Sequence, residues 1–164
     1  MLLSDRRTLL KLLTAAPLAA CGFTPLYGSG SAADAARGKI DVAEINGLMG
    51  FRLRKRLTSR LGPATNASHQ LKVNVRTTSQ ALAISAENEI TRYSLTGIAT
   101  FDLRQMAAGT TVLKGNVRAF SAYSATASAY ATSVAERDAR ERLAHSIAEQ
   151  IATRVAANAD RWLA

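Results

Sequence analysis

One cysteine stands in 164 residues, Cys21, and it follows Leu18-Ala19-Ala20 at the end of a short apolar run. Met1 to Lys11 carries Arg6, Arg7 and Lys11, and Leu9 to Ala20 is mostly Leu and Ala. A basic stretch, a short apolar stretch and small residues before a cleavage point are the three parts of an export signal. With cysteine in the first mature position, the chemistry open to the chain is thiolate acylation. The sulfur takes a diacylglyceryl group, cleavage falls before Cys21, and the new amine is acylated. The apolar run is too short to span a bilayer, which takes about 20 residues. A buried cysteine or an N-terminal core helix accounts for single features, not for all of them in succession. Residues 1–20 are therefore expected to be a lipoprotein signal peptide. Asp5-Arg6-Arg7-Thr8-Leu9-Leu10-Lys11 also resembles a twin-arginine export motif, although a plain secretory signal holds adjacent arginines too.

Other residue types call for no catalysis. The two histidines are His69 and His145. His145 falls four residues from both Glu141 and Glu149, on one helical face. That trio lacks a second imidazole or a thiolate, so a solvated face fits it better than a metal site. There is no Ser-His-Asp order with a positional signal and no glycine-rich phosphate loop. Glu87 and Glu89 sit in a polar turn. No cofactor is expected beyond the covalent lipid on Cys21, and a periplasmic hydrolase is the weakest functional reading.

What remains is binding by charge. The net charge is +9, of which the leader's three cations and Asp5 account for +2, leaving +7 on the mature chain. A basic domain outside the cytoplasm is not expected to meet nucleic acid. Its polyanions are lipid phosphates, lipopolysaccharide or an acidic partner surface, with simple solubility as the plainer explanation. A single cysteine permits no intramolecular disulfide, so the fold must rest on its core.

The elements that position these charges follow from periodicity. Residues 21–38 read as a lipidated flexible tether, with Thr24-Pro25 and Gly28-Ser29-Gly30-Ser31 offering turn and linker chemistry. Residues 39–164 read as one domain. Ile40 and Val42 predict a short strand. Leu53, Leu57 and Leu61 then recur every four residues, and Gly62-Pro63 supplies a stop, predicting an amphipathic helix over about 48–61. Three period-two segments follow, carrying Leu71, Val73 and Val75, then Tyr93, Leu95, Phe101 and Leu103, then Leu113, Val117 and Ala119. Gly97 falls within an apolar series and predicts a bulge or a close approach. Ser133-Val134-Ala135-Glu136 fits a capping box before a last helix. Ala139, Leu143, Ile147, Ile151 and Val155 form its apolar stripe, flanked by Ala144, Ala148 and Ala152. Glu136/Arg140, Arg137/Glu141 and Asp138/Arg142 are spaced as i+4 ion pairs.

The order is β-α-β-β-β-α. It predicts an α+β two-layer sandwich, a four-stranded mostly antiparallel sheet with two helices on one face. Lys72, Arg76, Arg92, Lys114 and Arg118, with Arg104, fall on the outward series of the meander. They are candidates for contacting acyl-sugar phosphates; protection of the strands against edge pairing explains them equally well. Arg52, Arg54, Lys55, Arg56 and Arg60 crowd the first helix, either as a solvated face or as a docking surface for an acidic or phosphate-bearing partner.

Cys21-Gly22-Phe23-Thr24-Pro25-Leu26-Tyr27-Gly28, the basic first helix and the stretch Tyr130-Ala131-Thr132-Ser133-Val134-Ala135-Glu136-Arg137-Asp138-Ala139 together resemble the LptE family of lipopolysaccharide-assembly lipoproteins, in its alphaproteobacterial type. The resemblance implies a two-layer α+β domain, lipid-anchored at the periplasmic face of the outer membrane. It implies that the domain plugs the LptD β-barrel, assists its assembly and helps deliver lipopolysaccharide to the cell surface. Gly22 rather than Asp after the cysteine agrees with outer-membrane sorting. Some members carry a basic lipopolysaccharide-contacting residue between the second and third strands. Here Ser85-Ala86-Glu87-Asn88-Glu89 is acidic, and no such role carries over. The alternative reading is an auxiliary lipoprotein of a lipid-trafficking ABC transporter.

Overall fold

The computed structural model describes Gly28, residues 30–84 and residues 90–163. The signal peptide, Cys21 and the turn Ser85-Ala86-Glu87-Asn88-Glu89 lie outside the described residues. The elements are α1 (Ala32–Ala35), β1 (Ile40–Val42), α2 (Gly47–Leu61), β2 (His69–Ile84), β3 (Ile90–Gln105), β4 (Thr111–Ser124), α3 (Ala129–Ala157) and α4 (Ala159–Trp162).

β1 runs parallel to β2, with Ile40 opposite His69 and Val42 opposite Leu71. A parallel pair cannot be closed by a tight turn, and α2 provides the crossover. β2, β3 and β4 form an antiparallel meander, so the spatial order β1-β2-β3-β4 is the chain order. The two long helices cover one face, giving the two-layer α+β architecture that the periodicity predicts.

The core lies between these layers. Leu53, Leu57 and Leu61 of α2 are buried, as is the whole α3 stripe from Ala139 to Val155. They meet Leu71, Leu95, Phe101, Leu103 and Val117 from the inner face of the sheet. Each Leu or Ile fully buried in this way contributes about 1.5–3 kcal/mol of transfer free energy. The small residues set the spacing. A Cβ on Gly97 would stand 2.8 Å from Ile147 Cδ1 and 3.2 Å from Leu143 Cδ2, so this glycine admits α3 against β3.

Two expectations are corrected. Packed structure begins before Lys39, within the segment read as a flexible tether. Ser31 Oγ accepts from the Asp34 amide at 3.2 Å to start α1, and Ala33 and Ala36 are buried. Gly38, at φ +76°, donates its amide to Leu61 O at 3.2 Å and so fastens this segment to the end of α2. Alanine signals burial weakly, and neighbouring Gly and Ser concealed it. The capping box is not used. α3 starts a turn earlier, where Ser128 Oγ accepts from the Ala131 amide at 3.3 Å, while Ser133 Oγ donates to Tyr130 O at 2.8 Å. Hydrogen bonds between Thr126 and Thr132 secure that earlier turn. At its other end α3 stops at Ala157 and α4 turns back, so that Trp162 Nε1 donates to Val155 O at 3.0 Å.

Candidate functional site

The sheet face turned away from the helices is where the outward series assembles. From Lys72 to Gln80 on β2, Ser94 to Asp102 on β3 and Lys114 to Ala122 on β4, residues of even number stand on it in cross-strand rows about 6.8 Å apart along the strands. Lys72 and Lys114 flank Asp102 in one row. Asn74, Thr100 and Asn116 form the next. In the third, Arg76 and Arg118 flank Ile98. Interstrand spacing of about 4.8 Å places their Cα atoms roughly 10 Å apart.

These rows are not equivalent. Asp102 offsets half the charge of the lysines beside it, whereas Arg76 and Arg118 have an apolar residue between them. Ile98 is 38% exposed, and Phe120, one row on beside Arg118, is 65% exposed. Two guanidinium groups beside an open apolar surface can hold an anionic group and an adjoining hydrocarbon at once. Arg92 lies opposite Ser124, six residues along β3 from Ile98, and does not join this group. Ile98 and Phe120 went unremarked in the sequence. Their signal was parity, since both are large apolar residues on the polar series of a strand.

The helix cations are arranged differently. Arg52 pairs with Glu141, Arg56 Nη2 lies 2.6 Å from Glu149 Oε1, and Arg60 Nε lies 2.9 Å from Glu149 Oε2. Arg54 Nε donates to Val42 O at 2.9 Å. Lys55 lines a groove with Phe51, Ser59 and His145. The crowd of α2 arginines thus fastens α2 to α3 and to β1. The expected solvated Glu141-His145-Glu149 face supplies their carboxylates, with His145 Nε2 4.0 Å from Glu141 Oε1. Of the expected pairs within α3, Glu136–Arg140 and Asp138–Arg142 form. Glu141 is engaged by Arg52 instead of Arg137.

At the open end of the helix interface lies a cavity of about 420 Å³. Met49 and Val75 line its apolar side, and Arg52, Arg137 and Arg140 its rim. Two of these arginines are engaged by carboxylates, Arg52 by Glu141 and Arg140 by Glu136, which sets the cavity apart from the Arg76-Ile98-Arg118 row. His69 is structural. It is buried with its ring edge-on to Trp162, centroids 4.8 Å apart, and Ser68 Oγ lies 2.9 Å from its Nδ1. Burial, and then the Lys39 charge, hold its pKa below 6.5, against a backbone hydrogen bond at Trp162 that raises it. Among the described residues no group of three or more His, Cys, Asp or Glu could hold a metal ion, and no helix is long and apolar enough to cross a membrane.

A parallel crossover, an antiparallel meander and a closing helix, with one sheet face uncovered among the described residues, define a fold that recurs in bacterial lipoproteins. A putative lipoprotein from Caulobacter crescentus CB15 has a TM-score of 0.66 at 22% identity, over 78% of this chain and 96% of that one. The rare lipoprotein B of Shewanella oneidensis has a TM-score of 0.56 at 14% identity, over 73% and 93%. A minor lipoprotein of Acinetobacter baumannii has a TM-score of 0.52 at 17% identity, over 73% and 92%. At such identities the likeness is one of fold. No curated protein matches the chain. Residues 34–155 match the model of the LptE, or lipopolysaccharide-assembly, family, and the chain belongs to that family.

Proposed function

We propose that this chain is the lipid-anchored, non-enzymatic component that seats in the LptD β-barrel at the outer membrane and assists delivery of lipopolysaccharide. Acyl chains on Cys21 would hold it at the periplasmic face, each buried methylene contributing about 0.8 kcal/mol. The domain would then fill the barrel lumen and aid barrel assembly. Membership of the lipopolysaccharide-assembly family supports the ligand class. The observation that carries the reading is the bare sheet face, where Arg76 and Arg118 flank exposed Ile98. An acylated sugar phosphate presents the complement: phosphates for the guanidinium groups and hydrocarbon for Ile98 and Phe120.

The test is copurification of the tagged full chain from gently solubilised outer membrane, with mass spectrometry of its N-terminus. A large β-barrel partner and a triacylated Cys21 are expected. Recovery as a free monomer, or an unmodified mature start, would overturn the proposal. Depletion separates it from service to a lipid-trafficking ABC transporter. Loss of surface lipopolysaccharide is expected, and a phospholipid-trafficking defect alone would favour the transporter.

A further inference from the structure

β4 is the last strand of the sheet and is fourteen residues long. Such an edge presents a row of carbonyl and amide groups on which another strand can form. Here three of the outward carbonyls are taken by side chains of α3. Arg142 Nη2 donates to Ala122 O at 3.0 Å, Gln150 Nε2 to Arg118 O at 3.1 Å, and Arg154 Nη1 to Asn116 O at 2.5 Å. The donors are separated by multiples of four residues, so they share one side of the helix. The acceptors are separated by multiples of two, so they share one side of the strand. Four helical residues advance about 6 Å and two strand residues about 6.8 Å, which keeps the two rows in step as they run in opposite directions.

We propose that Arg142, Gln150 and Arg154 close the β4 edge against strand addition by a second copy of this chain. An incoming strand needs the carbonyls these side chains occupy, and exposed Phe120 on the same strand would otherwise reward the pairing. The inference does not depend on the lipopolysaccharide reading, because it concerns the chain alone. It also separates two tasks on β4. The side chain of Arg118 stays on the face turned away from the helices, while its own carbonyl is withheld.

The experiment compares the full chain with the triple variant Arg142→Ala/Gln150→Ala/Arg154→Ala by sedimentation velocity, with detergent micelles in excess over protein. The variant is expected to self-associate at a concentration lower by about tenfold or more, from the release of three edge acceptors. Adding Phe120→Pro should abolish that association. In an antiparallel ladder the amide and carbonyl of one residue point the same way, so residue 120 turns its N–H outward and proline there removes no bond to β3. A folded triple variant that sediments like the parent overturns the proposal, as does association that survives Phe120→Pro. If the triple variant does not fold, Gln150→Ala alone is read the same way. A shift of about twofold is expected from one released acceptor, and none would overturn the proposal.

Discussion

Among the described residues His69 is the buried polar side chain, and its position couples the start of β2 to the C-terminal turn through Trp162. The folded state favours the neutral imidazole, since burial and Lys39 lower its pKa. The unfolded chain, titrating near pH 6.5, therefore takes up a proton first as the medium is acidified. The stability that His69 contributes is full above that value. It is lost as pH falls through it, down to the lower folded value. Thermal unfolding followed by Trp162 fluorescence should show a falling midpoint from about pH 7.5 to 5.5. His69→Gln should flatten that slope; an unchanged slope would assign it elsewhere. The sequence marked His69 only as a residue before a strand, because its partner lies 93 positions away at Trp162.

At the scale of elements, α2 and α3 meet along leucines and alanines at the centre and ion pairs at the rim. Glu149 receives both Arg56 and Arg60. These groups are more than a third exposed, so solvent screens them and the cluster contributes about 1 kcal/mol or less. Glu149→Gln should lower stability by that amount at low salt, and the difference in denaturant midpoint should shrink in about 1 M salt. A loss insensitive to salt would mean that packing was disturbed instead. The strands and both apolar stripes were legible because period two and period four are properties of neighbouring residues. The true start of α3 was not, because Ser128 and Ser133 both precede helix-forming residues. Only the Thr126–Thr132 contact decides between them.

For the whole molecule, the cations separate into two populations that composition counts alike. Neutralising Lys72, Arg76, Arg92, Lys114 and Arg118 should weaken lipopolysaccharide binding and flatten its dependence on salt. Arg76→Ser with Arg118→Ser should carry most of that loss, about tenfold or more, since charge-assisted contacts are worth roughly 1.5–3 kcal/mol each before desolvation. Arg92→Ser alone should do little. Neutralising Arg52, Arg56 and Arg60 should instead lower the unfolding temperature and leave affinity nearly unchanged. Equal loss of affinity from both sets, measured by titration at several salt concentrations, would reduce the effect to bulk charge.

Spacing along the chain was enough to specify the order of strands and helices and which strand residues face the core. Those features depend on local geometry, on the periods of helix and strand. Which arginines are spent internally and which remain on the surface was not encoded at that range. Arg52 and Arg76 are alike as residues, and the difference between them is that the folded chain brings Glu141 to the first and exposed Ile98 to the second. Long-range packing made that assignment, and with it the contrast between a fastened helix pair and a bare, charged sheet.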